Sequence, residues 1–416
     1  MKKVKGMEEG ASASLVKSKS FNLLWFTTVA SSLSLSMFMF IQSWYVVEGL
    51  GMEASLGIVL VSLTSMRIVF MVFGGVAADR GRQSFIMSFS DLSLSFLVVA
   101  LGCIFYFYSD IPIWVLAVIA AFFGAMGGLF EPSRDALLPR IVKAEQLTKA
   151  NSMLQGAIQI ALFTGPFLAG LLINFFSYSI TLFLIGAFLC LSGVGVLFIR
   201  PAAEKTAELK STKQSFKVQL AEGFSYTWKS PLLRALFIIT IIVNFFISGP
   251  LMMGLPLFVE GVLNGTSLDF SLVQGGFTFG MILGSLLVGL VNMNQKRGAY
   301  ALYFIALQGI GMLLFSQTSS LIAAAGIIVL IGMLSPAINI PLISLVQSYA
   351  NQEKVGRVMS LIRTGSLGLI PLSYTVTSML LATGIPIQTL MAVSSMPLLV
   401  SVAILYFLFP VLRSAD

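Results

Sequence analysis

Long apolar runs separated by short polar ones set the pattern of this chain. One helical crossing of the hydrocarbon core of a bilayer takes about 20 mostly apolar residues, and the runs reach that length again and again. They predict spans near 22–47, 55–78, 85–108, 112–131, 151–175 and 178–199. After a polar stretch, six more follow near 233–258, 270–292, 299–316, 320–346, 358–383 and 386–411. The expected fold is an all-α membrane protein of twelve transmembrane helices in two six-helix bundles. Its parts are a tail (1–20), a first bundle (21–199), a linker (200–230) and a second bundle (231–416). Within the linker, KVQLAEGFSYTW reads either as a short amphipathic helix on the membrane surface or as a solvated tether.

The basic residues test the count, because Lys and Arg concentrate in cytoplasmic loops. Of the 25, 23 fall in the N-terminal tail, in every second loop and at the C-terminal end. The intervening loops hold only the acids Glu48, Glu53, Asp110, Glu260 and Asp269. Both termini are therefore expected in the cytoplasm, with the chain multi-pass in a plasma membrane.

Composition agrees: 57% of residues are hydrophobic and 10% charged, against about 25% charged in a soluble domain. The net charge of +8 is explained by topology, so no nucleic-acid partner is expected. The lipid bilayer is the surrounding medium, and a monomer is expected. The chain contains no His, which removes the commonest metal ligand and the commonest general base. No metal or cofactor is expected. Cys103 and Cys190 lie inside apolar runs and are expected as small core residues. The first twenty residues are polar, unlike a cleavable signal peptide, and no GxxxxGK[ST] loop for ATP is found. Intramembrane hydrolysis would need paired acids, a Ser/Lys dyad or metal ligands at depth, so no enzymatic activity is expected.

The halves echo each other. EPSRDALLPRIVKAEQLTKANSML joins spans 4 and 5, and SPAINIPLISLVQSYANQEKVGRVMSL joins spans 10 and 11, with Pro132 aligned on Pro336. Two six-helix halves related as parallel repeats are the build of a transporter that rocks around a midplane site.

Between spans 2 and 3 lies GGVAADRGRQ, three charges within four positions of a sparsely charged chain. It resembles the signature loop between helices 2 and 3 of the major facilitator superfamily, matching at Gly75, Asp79, Arg80 and Arg82, although the loop is one residue shorter. LFTGPFLAG in span 5 resembles the Gly-Pro-x-x-x-Gly element of exporters in that superfamily, through Gly165, Pro166 and Gly170. Ala161 stands where an earlier glycine is usual. With FEPSRDALLPRIV and LTKAN, the whole chain is similar to the drug-proton antiporter branch that includes macrolide-efflux and enterobactin-exporter proteins.

The resemblance implies a secondary-active exporter of bacterial type, moving a bulky amphipathic compound such as a macrolide or a siderophore out in exchange for protons. It implies a gate in which Asp79 faces the start of helix 11 and Arg80 pairs with Glu131. The plainer alternative makes Arg80 and Arg82 topology anchors only. It also implies a central cavity lined by spans 1, 4, 7 and 10, where Ser36, Phe40, Trp44, Phe123, Asn244, Phe245, Met252 and Asn339 offer apolar surface with a few hydrogen-bonding groups. A flippase of lipid-linked headgroups, a nutrient importer and a non-transporting sensor or scaffold remain alternatives.

Three charges lie at membrane depth, where an ionisable group is costly and by default functional. Arg67 and Asp91 sit on consecutive antiparallel spans and are candidates to pair with each other. Asp91 and Glu131 are the acids available to carry proton coupling. Arg363, in span 11, is open to an anionic substrate, a lipid headgroup, or snorkelling to the surface.

Overall fold

The computed structural model describes residues 15, 17–108, 111–199, 216–291, 296–351 and 354–414. Most of the N-terminal tail, the linker up to residue 215 and Asp110 lie outside the described residues, as does the Arg80 side chain.

No water reaches the hydrocarbon core to satisfy an open backbone, so the crossing segments must be helical. Twelve helical spans are found among the described residues, in the predicted order. In the first half they are span 1 (Lys19–Gly49), span 2 (Glu53–Asp79), span 3 (Gln83–Phe107), span 4 (Ile113–Ile141), span 5 (Leu147–Phe175) and span 6 (Tyr178–Leu197). In the second they are span 7 (Pro231–Gly261), span 8 (Ser267–Leu290), span 9 (Arg297–Gln317), span 10 (Leu321–Tyr349), span 11 (Val355–Ala382) and span 12 (Ile387–Leu408). A linker helix, Phe216–Lys229, precedes span 7.

Span 4 continues ten residues past its expected end at 131. Hydropathy stops at Glu131-Pro132, but the helix does not: Pro132 and Pro139 lie inside it, and Arg134 is buried beside Asp135, to which it donates from Nε and Nη2. A helix can outrun its apolar segment once it leaves the lipid. The cysteines are a second difference. Cys103 and Cys190 are both exposed on the outside of their helices. An apolar run is buried in protein on one side only, and small apolar residues serve equally on the lipid side.

By packing, the chain divides into two compact units, Met1–Tyr45 with Ser62–Leu209 and Val46–Val61 with Lys210–Asp416. The boundary thus cuts span 2. Residues 46–61 group with the second unit because the Ser378 hydroxyl of span 11 donates to the Ala54 carbonyl, and because Gly57 has no side chain to hold Ser378 off.

Within each unit the same three helix pairings recur: spans 1 with 5, 2 with 4 and 3 with 6 in the first, and 7 with 11, 8 with 10 and 9 with 12 in the second. Small residues set the tightest of these, as expected where lipid gives helices no hydrophobic drive to associate and close packing must supply the attraction. A Cβ added to Gly124 of span 4 would lie 2.0 Å from the Leu63 carbonyl oxygen of span 2. Its counterpart in the second unit is Gly280 of span 8, 2.1 Å from the Val329 oxygen of span 10. Spans 1 and 7 also match, each carrying a π-helical segment, Tyr45–Gly49 and Ser248–Met253.

Candidate functional site

In the first unit, Pro166 lacks an N–H and so cannot bond the Leu162 carbonyl one turn back. The Ser36 hydroxyl of span 1 takes over, donating to Leu162 O at 3.3 Å. It reaches that far because Gly165 presents only hydrogen: a Cβ there would sit 2.6 Å from Ser36 Oγ. Proline and glycine of the exporter-like element therefore act together to fasten span 5 to span 1, with Gly170 buried a turn further along.

The second unit does the same with different residues. Gly249 N–H of span 7 donates to Ser373 Oγ of span 11 at 2.7 Å, and that hydroxyl donates in turn to the Phe245 carbonyl. A serine is thus inserted into a broken helical hydrogen bond where the π segment begins. Such bulges frequently mark functional positions.

The charged groups at depth are arranged differently from expectation. Arg67 pairs with Glu131, not with Asp91. Spans 2 and 4 cross at Gly124 and Gly128 so closely that Arg67 lies at the contact, its side chain directed along span 4. The pair is about one-third exposed on each side, 36% for Arg67 and 29% for Glu131. Asp91 is 1% exposed. It accepts hydrogen bonds from the Ser31 hydroxyl of span 1, at 2.9 Å, and from the Ser192 hydroxyl of span 6. Ser192 also reaches the Thr27 carbonyl at 3.0 Å, so a single carboxylate ties spans 1, 3 and 6. No cationic side chain pairs with it among the described residues. Sequence gave little signal for these serines, since hydroxyls are common in membrane helices.

Asp79 is exposed at the end of span 2 and forms no ion pair within its unit among the described residues. Gly75 lies half-buried one turn earlier, and Arg82 is exposed at the start of span 3. The Gln83 amide bonds back to the Ala78 carbonyl and shapes the short turn. Arg363 is exposed on span 11 and takes part in none of the ion pairs among the described residues.

The residues expected around a cavity fall into two groups. Ser36, Phe40, Trp44 and Phe123 are buried, and Phe123 stacks on Phe38 with centroids 3.8 Å apart. Phe245 and Met252 are half-buried and Asn339 is exposed. Asn244 and Asn339 donate to the carbonyls of Thr240 and Ser335 one turn back on their own helices.

Twelve spans among the described residues, in two groups built on the same three pairings, define a repeated helical membrane protein. The chain belongs to the Major Facilitator Superfamily, whose family model matches residues 24–374. It is 28% identical over 313 residues to macrolide efflux protein A of Streptococcus pyogenes, covering 72% of this chain and 74% of that one. It is 23% identical over 351 residues to the multidrug efflux pump Tap of Mycolicibacterium fortuitum, covering 79% and 82%. A solved structure of the nucleoside transporter NupG superposes with a TM-score of 0.72 at 12% identity, over 94% of this chain and all of that one. At that identity the likeness concerns the fold.

Proposed function

We propose that this transporter exports a bulky, amphipathic small molecule, a macrolide-like drug or a siderophore, in exchange for protons, by alternating access across a bacterial plasma membrane. The names of the two efflux relatives, and the Gly165–Pro166 fastening of span 5 to span 1, support the outward direction. Asp91 carries the case for coupling. A carboxylate removed from water is costly to ionise unless paired, and among the described residues the donors to Asp91 are the Ser31 and Ser192 hydroxyls. Its role is to gain and lose the transported proton, and the serines pass each change to spans 1 and 6. Asp91→Asn keeps a hydrogen-bonding side chain but cannot take a proton. The expected result in vesicles is loss of uphill export with downhill exchange of substrate retained. Export by the unaltered protein that is indifferent to collapse of the proton gradient would overturn the whole antiport reading.

Asp79 serves as a gate latch in this scheme. A carboxylate is stabilised at a helix N-terminus by roughly 0.3–1 kcal/mol, more when partly buried, a strength suited to a contact made and broken each cycle. Asp79→Asn is expected to abolish efflux while the protein reaches the membrane in normal amount. Normal efflux from that variant would remove the latch.

A further inference from the structure

The linker helix has two faces, and among the described residues the contacts of its side chains with the turn before span 11 gather on one of them. On that face Glu222 pairs with Arg357, and Gly223 lies against the Arg357 carbonyl. The Tyr226 hydroxyl accepts from Asn351 N–H at 3.2 Å while Lys354 sits over the Tyr226 ring. These contacts hold the helix against the turn that leads into span 11. The other face presents Phe224 and Trp228, one turn apart, stacked on each other at 5.3 Å and 47% and 46% exposed. Contiguous exposed apolar surface rimmed by polar residues marks a site of contact with a membrane or a partner.

The surroundings identify that chemistry. Trp228 lies three residues before span 7 begins, and Arg234 of that span stands over both the Trp228 ring, at 5.8 Å, and the Phe409 ring just beyond span 12, at 5.4 Å. Beside Phe409, Phe407 and Leu408 are 73% and 69% exposed, as befits lipid-facing side chains. Arg413 lies over the Tyr406 ring at 3.8 Å. Trp228 is therefore level with the ends of two membrane spans. Rings at that height, flanked by cations, suit the boundary between phosphate headgroups and acyl chains. Lys229 is exposed next to the ring pair and adds a further positive charge.

We propose that the linker helix and the adjoining ends of spans 7 and 12 form a docking surface for an anionic phospholipid, with Phe224 and Trp228 in the interface and Lys229 and Arg234 facing the phosphate. The surface is independent of what the protein carries. Because its other face grips the turn before span 11, headgroup binding here fixes the position of that turn.

The test is quenching of Trp228 fluorescence in vesicles by brominated lipid, taken as the difference between the full chain and its Trp228→Phe variant. Brominated phosphatidylglycerol, titrated into phosphatidylcholine, is expected to quench Trp228 at lower mole fraction than brominated phosphatidylcholine does, and added salt should weaken the preference. A basic residue near a lipid surface contributes about a five-fold preference for anionic lipid. Arg234→Gln and, separately, Lys229→Gln should each raise the half-quenching fraction by about that factor. If Arg234→Gln folds poorly, Lys229→Gln alone carries this arm. Absence of quenching by either lipid, with Trp228 open to a water-soluble quencher, would assign the face to water or a soluble partner and overturn the proposal. Equal quenching by both lipids without a salt effect would overturn its anionic part.

Discussion

Gly124→Leu is expected to leave no functional transporter, while Gly127→Leu, three residues along the same helix, is expected to be tolerated. The two differ in what a side chain would meet. At Gly124 even a Cβ would lie 2.0 Å from the Leu63 carbonyl oxygen and 3.0 Å from the Arg67 amide nitrogen, both backbone atoms that cannot rotate aside. At Gly127 nothing lies within 4 Å. Overpacking that flexible neighbours can absorb costs about 1–3 kcal/mol. Where backbone meets backbone the spans must separate, and the cost should reach on the order of 3 kcal/mol or more. That is a large part of the 5–15 kcal/mol that holds a typical fold together. Separation would also pull Arg67 from Glu131, because the pair is seated at this crossing. The measurement is the monodisperse fraction surviving a heat step in detergent, together with export from vesicles. The repeat extends the expectation to Gly280→Leu of span 8, whose Cβ would lie 2.1 Å from the Val329 oxygen, with Gly289→Leu as its harmless partner. Equal behaviour of Gly124→Leu and Gly127→Leu would mean that the close crossing does not govern assembly.

Such glycines show how far the sequence could be read. The spans were legible because lipid imposes one requirement on every crossing, a helix of sufficient apolar length, and because basic residues mark alternate loops. Both are local properties of a string. The partners of charged groups are not local. Nothing in the residues around Arg67 distinguishes Glu131, 64 positions away, from Asp91, 24 positions away; the choice is made by the Gly124 and Gly128 crossing, which brings span 4 against span 2. Pro166 lies between the two cases. That its position frees the Leu162 carbonyl follows from the chemistry of proline, whereas the donor that fills the vacancy, Ser36, emerges only with the fold. The extension of span 4 to Ile141 was hidden for another reason. Hydropathy records where lipid ends, and that is not where a helix must end.

Neutralising Arg67 alone should damage the protein more than neutralising Arg67 and Glu131 together. Arg67→Gln leaves the Glu131 carboxylate without the guanidinium it pairs with, a situation that costs about 3–5 kcal/mol for a fully buried pair and about 0–1 for a surface one. With side chains 36% and 29% exposed, solvent screens part of the interaction, and a loss of roughly 1–3 kcal/mol is expected between those limits. The double variant Arg67→Gln with Glu131→Gln replaces an ion pair by two amides that can bond each other, and its thermal stability should return close to that of the unaltered protein. A double-mutant cycle on detergent-solubilised protein isolates the pair energy, because the residues touch and cannot be additive. Transport then separates structure from function. If the pair only fastens spans 2 and 4, the double variant exports normally once folded. If Glu131 exchanges Arg67 for another partner as the gate moves, the stable double variant binds substrate but does not carry it uphill. The latter is the expected outcome, since an ion pair retained at this depth is weak support for stability alone and is most readily understood as a contact made to be broken.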